Sequence, residues 1–561
     1  MTLQARAYAN CDEVTIVWRA DAPITGCRGF ALARRATTAD GGQTMSWVST
    51  WVGFAGDPDA QSGLQAPSTQ WPIQRFVWSD YFSADARLVQ YQVVPMLGSK
   101  SALQPAAVAS NWTEPVTVGT GKTPGTGAWF NRGIIAAQWV ARALAQAGGA
   151  PAAALAADIS RPGDMLRDEL GGPLKRALLQ ALADANAAGK IIYAALYELN
   201  DPELIAALSA FGGRCNLILG SGAYKTGVPD QNAAVRRQLR DAGAIRLHDR
   251  LVRSPHFAHN KFVVFCDADG TPRRLWTGSL NWTVTGLCTQ VNNGIYLDSP
   301  DLARSYLARW NELMAAGSAY PASLALSGST PARVALGASA LTAWNVPCNG
   351  LVDLADARAL IQSARQGVLF LMFNPGTHGT LLNDILALDA SRLFIHGVVN
   401  QDPGGAADPL LTFYSRNRQI IADPQATLPA AIKTTMQGWF RDEYKGGMVM
   451  VHSKIIVIDP FGPKPVVMTG SHNLGPKASA KNDDNLLIVR DAPGLAAEYA
   501  VHVIGVYGHY KWRHNQALAR AGAAGDPGAG TWAGLADDDR WQAAWFSAYR
   551  RREIDFWFGG A

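Results

Sequence analysis

The spacing of hydrophobic positions changes twice along the chain. From the N-terminus to about Val118 they come in short alternating runs broken by Gly, Pro, Asp and Ser. Val14–Trp18, Gly29–Arg34, Arg75–Trp78 and Val89–Val94 carry β-branched or aromatic residues on every second position, which predicts strands of a small antiparallel β-sandwich over 1–118. The next stretch, 119–127 (GTGKTPGTG), has no period and reads as a linker. Its Gly121-Lys122-Thr123 does not make a phosphate loop. Val116 stands where the first glycine is required, and Pro124-Gly125 follows in place of a helix.

Beyond the linker, Ala- and Leu-rich helical stretches alternate with short apolar strands, the signature of a layered α/β architecture. The order is built twice. PLKRALLQALADANAAGK, IIYAALYEL, CNLILGSG, HNKFVVF, LWTGSLNW, NGIYL and DLARSYLARWNELM fill 128–326. DLADARALIQSARQ, VLFLMFN, RLFIHGVVN, HSKIIVI, VVMTGSHNL, NLLIV and GLAAEYAVHVIGVYGHYKW answer them over 332–525, after a Ser/Gly/Pro junction at Ser327–Pro331. A unit built twice in one chain packs most simply about a pseudo-twofold axis, with equivalent motifs face to face. The tail, 526–561, has apolar residues at helical spacing in WQAAWFSAYRRREIDFWF and predicts a helix docked on the body.

A length of 561 residues with 48% hydrophobic and 17% charged side chains excludes disorder and requires several domains. Net charge is only +5, so any preference for an anion must come from a local site. The six cysteines show no Cys-x-x-Cys pair and read as buried thiols, with Cys11 and Cys27 the one candidate bridge. No signal-peptide run and no stretch of eighteen apolar residues occurs, so a cytoplasmic location is the default expectation, with signal-less secretion the alternative.

The chemistry concentrates in two matching places. His452-Ser-Lys454 is followed by Asp459 and by Gly470-Ser471-His472-Asn473; His259-Asn-Lys261 and Gly278-Ser279-Leu280-Asn281 occupy the equivalent positions of the first half. In an extended strand, His and Lys two apart point to one face, so each half offers an imidazole and an ammonium to the same cleft. Two lysines and two amides around one phosphate stabilise the charge of a five-coordinate transition state, as an oxyanion hole does. One imidazole can then attack phosphorus while the other protonates the leaving alcohol.

At these residues the chain resembles the phospholipase D superfamily, over roughly Trp129 to Trp512. The resemblance implies a pseudo-twofold pair of α/β/α sandwich units and cleavage or exchange of phosphodiesters without metal or other cofactor. His259 and His452 would be the catalytic histidines, with Lys261, Lys454, Asn281 and Asn473 holding phosphate and Ser279 and Ser471 beside them. In the N-terminal region the order VTIVW, GFALARR, YQVVP resembles a fibronectin type III module, with Trp18 and Tyr91 in its core.

The halves differ at two points. Five positions after Lys261 stands Cys266, not Asp; yet Asp267 lies eleven before Gly278, as Asp459 lies eleven before Gly470. One extra residue, a β-bulge between Lys261 and Asp267, reconciles the counts, with Asp267 expected in the role of Asp459 and Cys266 structural. Eleven positions beyond the asparagines stand Asn292 and Asp484. Read within each half, Asp484 would sit beside His452 and favour its imidazolium, leaving His259, beside Asn292, as the neutral nucleophile. The family habit of attacking with the N-terminal motif agrees. His472 is expected to border the pocket without catalysing, and His256 to line the cleft or cap a turn.

Motif residues set the bond type and leave the substrate open. A phospholipid at a membrane surface is the leading expectation, supported by two motifs in one chain and by Trp276, Trp282, Trp439 and Phe440 as candidate interfacial aromatics. Nucleic acid is the alternative, for which the chain offers only scattered basic clusters such as Arg236–Arg240 and Arg550–Arg552. A third reading is a catalytically silent binding protein.

Overall fold

The computed structural model describes residues 2–38, 40–57, 64–81, 88–133, 151–222, 230–403, 411–415, 418–422, 450–520 and 534–559. Residues 1–120 together with 497–561 form one compact unit, and 121–496 form the other. None of the described helices is long and apolar enough to cross a membrane.

In the first unit the alternating runs become two antiparallel sheets. Leu3–Ala9, Val14–Ala20 and Val77–Asp80 form one; Gln43–Trp47, Cys27–Thr37, Leu88–Ser99 and Ala102–Pro105 form the other. Trp18 and Tyr91 are fully buried. Trp18 meets Phe30 edge-on at 5.4 Å, and the Tyr91 hydroxyl donates to Asp80 at 2.8 Å, so the apolar bodies are packed and the polar tip is satisfied. The tail helix Ala548–Trp557, capped by Ser547, docks here. The Arg6 and Arg19 guanidiniums lie 4.8 and 4.4 Å from the Phe558 ring centre, and the Tyr8 hydroxyl donates to the Trp557 carbonyl. All six cysteines are free, Cys11 and Cys27 among them.

The second unit contains the two sheets of the repeat. Its first sheet runs Thr126–Phe130, Asn293–Asp298, Pro272–Gly278, Lys261–Cys266, Ile191–Leu196, Cys215–Gly220, Arg246–Arg250. The second sheet begins with the edge strand Ala332–Leu336 and continues in the same order: Ser339–Val346, Asp484–Arg490, Val466–Gly470, Lys454–Ile458, Gly367–Met372, Phe394–Val399, Leu411–Ser415 and Arg418–Ala422. The strands holding the lysines, together with Cys215–Gly220, Gly367–Met372 and Phe394–Val399, are buried at every position, which requires layers on both faces and explains their unbroken apolar runs. Helix Pro300–Ala316 provides one such layer. Ser299 caps it, and Leu302, Tyr306, Trp310 and Leu313 form the buried stripe, each worth ~1.5–3 kcal/mol of transfer free energy.

The halves clasp reciprocally. Thr277 Oγ1 donates to Asn485 Oδ1 at 2.9 Å, and Asn293 Nδ2 donates to Thr469 Oγ1 at 2.8 Å. Thr277 and Thr469 are equivalent, as are Asn293 and Asn485, so one contact is made twice with the halves exchanged, as a twofold requires. Backbone bridges Val291 with Val451 and Phe257 with Asn482 lie at the same junction.

Candidate active site

Each His-x-Lys segment enters its strand at the same register. Leu196 pairs with Lys261 and Met372 with Lys454, and the Tyr197 and Phe373 rings pack on His259 and His452, each at 4.6 Å between centres. Both lysines turn back alike: Lys261 Nζ donates to the His259 carbonyl at 2.7 Å, and Lys454 Nζ donates to that of His452. Their ammonium groups lie 4.9 and 4.6 Å from the Tyr197 and Phe373 ring centres.

The imidazoles are held across the junction. His259 Nδ1 bonds Asp484 Oδ1 at 2.8 Å, and His452 Nδ1 bonds Asn292 Oδ1 at 2.9 Å. The same-half pairing expected from sequence is therefore corrected: Asp484 serves His259, and Asn292 serves His452. The cause is backbone pairing at the interface. His452 N–H donates to Val291 O, next to Asn292, while Asp483 N–H donates to Phe257 O, which puts Asp484 beside His259.

Orientations are fixed by the remaining bonds. Asn292 Nδ2 donates to Gly286 O at 2.9 Å, so its oxygen faces His452, and His452 must donate from Nδ1. Ser279 Oγ donates to the same oxygen at 2.7 Å and accepts from Asn293 N–H. Ser471 accepts from Asn485 N–H, at 3.0 Å. In each half the serine thus braces the strand that carries the partner of the other half's imidazole. With Nδ1 engaged in both rings, Nε2 is the nitrogen left for chemistry.

Electrostatics tie the four groups into one site. Burial pushes the His259 imidazole down to about 4 against the pull of Asp484, with Lys261 and Lys454 adding to the depression. Burial and then Lys454, Lys261 and His259 hold His452 well below the ordinary imidazole range. Lys261 is brought down to about 8 by burial, with Asp484 and Glu198 opposing. Lys454 is also depressed, first by burial and then by Lys261. Cations forced together out of water in this way make a site prepared for an anion.

The amides of the two motifs differ in their surroundings. Asn281 is buried, and its Nδ2 donates to Glu198 Oε2 at 2.6 Å. Asn473 is partly exposed, with its side-chain oxygen buried and unpartnered. Glu198 was missed by the sequence reading. Aligning the strand ends Tyr197-Glu198 and Phe373-Asn374 of the two halves is the signal that exposes it.

The two aspartates lie away from the imidazoles. Asp459 accepts from the backbone N–H groups of Arg365, Gln366 and Gly367 and so closes the loop leading into the Gly367–Met372 strand. Asp267 instead pairs with the side chains of Lys190 and Arg273 at the rim of an open groove of about 1040 Å³. It reaches the corresponding loop through a charged side chain and makes no backbone cap there, which corrects the expectation that it repeats Asp459. The register does slip between Phe265 and Cys266, but the extra residue is Arg273 on the facing strand, so the bulge expected between Lys261 and Asp267 is corrected: that strand runs regularly through Cys266. Cys266 is fully buried, and burial pushes its thiol up to about 12.

Other expectations are relocated. His472 is fully buried, accepting from Leu474 N–H and bonding Ser479 and Asp353, so it braces the GSHN loop. His256 stacks on Tyr320 at 3.7 Å between ring centres. Trp276 and Trp282 are core residues, each 1% exposed, and cannot be interfacial. Trp439 and Phe440 lie outside the described residues. Arg236 is spent on Asp230, Asp249 and backbone carbonyls, Arg240 on Asp249 and Arg550 on Glu553.

A doubled α/β sheet with crossed imidazole partners defines a phospholipase D-like protein. A family model described as "Cardiolipin synthase, PLD-like domain" matches residues 178–314 and 357–504, half of the chain, and the chain belongs to that family. No curated protein matches. Among solved structures, phosphatidylserine synthase of Haemophilus influenzae Rd KW20 is similar at 14% identity, covering 59% of this chain and 83% of that one, with a TM-score of 0.39. Yeast tyrosyl-DNA phosphodiesterase is similar at 12% identity, over 54% and 81%, with a TM-score of 0.27. Nuc from Salmonella typhimurium, a phospholipase D family member, is similar at 20% identity over 26% and 90%, with a TM-score of 0.21.

Proposed function

We propose that the chain cleaves or transfers the headgroup of phospholipids at the phosphodiester, through a phosphohistidine on His259. The observation that carries this reading is the crossed pair of Nδ1 bonds, which directs both imidazoles to one cationic site. His259, neutral and held by Asp484, attacks phosphorus through Nε2; the carboxylate stabilises the positive charge that the ring gains. Lys261, Lys454, Asn281 and Asn473 hold the non-bridging oxygens. The diester's negative charge offsets the two lysines and restores proton affinity to His452, which protonates the leaving alcohol. His452 then takes the proton from water or a second alcohol as that oxygen displaces His259 from phosphorus.

The phospholipid class is favoured by the family description and by the engagement of Arg236, Arg240 and Arg550 in internal ion pairs, which leaves those clusters poorly suited to tracking a nucleic acid backbone. The fibronectin type III-like sandwich is read as a scaffold. Parallel assays on phosphatidylcholine vesicles and on plasmid DNA, both in chelator, test the reading. Headgroup release abolished by His259→Ala is expected; DNA cleavage alone would replace lipid by nucleic acid, and turnover of neither would support the silent binding protein.

A further inference from the structure

The two halves place different residues after the ring that flanks each imidazole. Tyr197 and Phe373 are equivalent by strand register and by their 4.6 Å approach to His259 and His452, so Glu198 and Asn374 are equivalent too. Only the first half has a carboxylate there. It accepts from Asn281 Nδ2 at 2.6 Å, whereas Asn374 Oδ1 accepts from Asn400 Nδ2 at 3.4 Å.

An asparagine amide has two N–H donors and can be turned end for end, and the two orientations differ little unless a neighbour discriminates between them. A carboxylate discriminates strongly, because it accepts from the nitrogen and repels the oxygen. Glu198 therefore holds the nitrogen of Asn281 toward the site with one N–H engaged and one left to give. The same carboxylate acts on both ammonium groups, favouring the charged form of Lys261 and of Lys454. Asp484, the other carboxylate acting on these lysines, is already committed to His259 and Asn482.

We propose that Glu198 is a positioning residue of the phosphate site: it sets the orientation of the Asn281 amide and supplies negative charge that favours the ammonium forms of Lys261 and Lys454 while the site is empty. The inference rests on the reading of this cluster as a phosphate site. It goes beyond that reading in giving the first half a carboxylate with no counterpart in the second.

The signs of its effects differ with pH. At the acid end of the range the lysines depend least on Glu198 for their charge, while its own charge opposes an incoming anion, so its removal strengthens phosphate binding. Above about 8, where burial already brings Lys261 to the end of its charged range, removal costs ammonium charge and weakens binding.

Calorimetric titration with inorganic phosphate between pH 6 and pH 9.5 is the test, on wild type, Glu198→Gln and Glu198→Ala, with diester turnover measured alongside. Glu198→Gln should bind phosphate at least as tightly as wild type at pH 6 and several-fold more weakly at pH 9, its alkaline fall moved to lower pH. Glu198→Ala should show the same move and lose a further ~10-fold in kcat/KM through the freed amide. Superimposable pH curves for wild type and Glu198→Gln, or equal weakening at every pH, would overturn the proposal. Wild type that binds phosphate but turns over no diester would refute the proposed reaction and leave the Glu198 comparison decisive. Wild type that binds no phosphate at any pH would overturn both.

Discussion

Asp484 accepts a hydrogen bond from His259 across the junction between the two halves, at 2.8 Å, although the two residues stand 225 positions apart. Its equivalent, Asn292, makes the reciprocal bond to His452. A single carboxylate thus breaks the symmetry of a doubled site, and it does so on the imidazole of the opposite motif. Neither half can orient its own histidine, so each half alone is an incomplete site.

From this pairing, Asp484→Asn should lower kcat by on the order of 10²-fold or more, because an amide can accept from Nδ1 but cannot stabilise the cationic ring of a phosphohistidine. Asn292→Ala should instead slow release of the intermediate, since it loosens His452. Rapid quench with labelled substrate distinguishes them: labelled phosphate should accumulate on His259 in Asn292→Ala and not in Asp484→Asn. Label on His452 would reverse the assigned roles.

The pH profile of kcat/KM should fall on the alkaline side near 8. Lys261 grips phosphate only as an ammonium, and burial lowers its proton affinity to about that value, so activity is lost as pH rises through it. On the acid side His259 stays a competent nucleophile down to about 4, well below an ordinary imidazole. Lys261→Arg keeps its charge throughout this range and should change the alkaline fall, leaving only the part that Lys454 contributes, at some loss of rate from the different shape of a guanidinium. An unchanged alkaline limb in that variant would assign the fall elsewhere.

The two aspartates should differ in stability more than in catalysis. Asp459→Ala strands three backbone N–H groups and should cost ~2–4 kcal/mol. Asp267→Ala loses ion pairs with partly exposed partners, which solvent screens, and should cost clearly less than Asp459→Ala. Urea denaturation of both variants compares them; equal losses would return Asp267 to the role of Asp459.

Much of this was legible in the chain because strand period and the doubled motifs are local signals. The strands beginning at Val14, Cys27, Val77 and Leu88 follow from alternation, and the lysine strands from unbroken apolar runs. What sequence could not show was which half supplies the partner of each imidazole. Spacing places Asp484 eleven residues beyond Asn473, and proximity along the chain suggests His452; the pairing of Asp483 with Phe257 sends it to His259 instead. Asp267 failed for a related reason. The count from Gly278 is right, yet the strand runs on through Cys266, and the aspartate emerges among Lys190 and Arg273 with no backbone cap to make.

A last expectation concerns the first unit, where Glu13 is buried with one oxygen accepting from Asn10 Nδ2 at 3.3 Å and the other without a partner. Gly505 packs against it and contributes no side chain. Burial, helped by the charge of Asp12, pushes its carboxyl up to about 8. The folded state therefore binds a proton that the unfolded chain releases above the ordinary carboxyl range. The stability linked to that proton is complete in acid, declines as pH rises from about 4.5 and is gone above about 8. Glu13→Gln has no proton to lose, and it should gain roughly 2–4 kcal/mol relative to wild type between pH 5 and pH 9, most of it by pH 8. Urea midpoints of wild type and variant across that range measure the difference; midpoints that run parallel with pH would mean that Glu13 is ionised in the folded protein and that its burial is compensated by other groups.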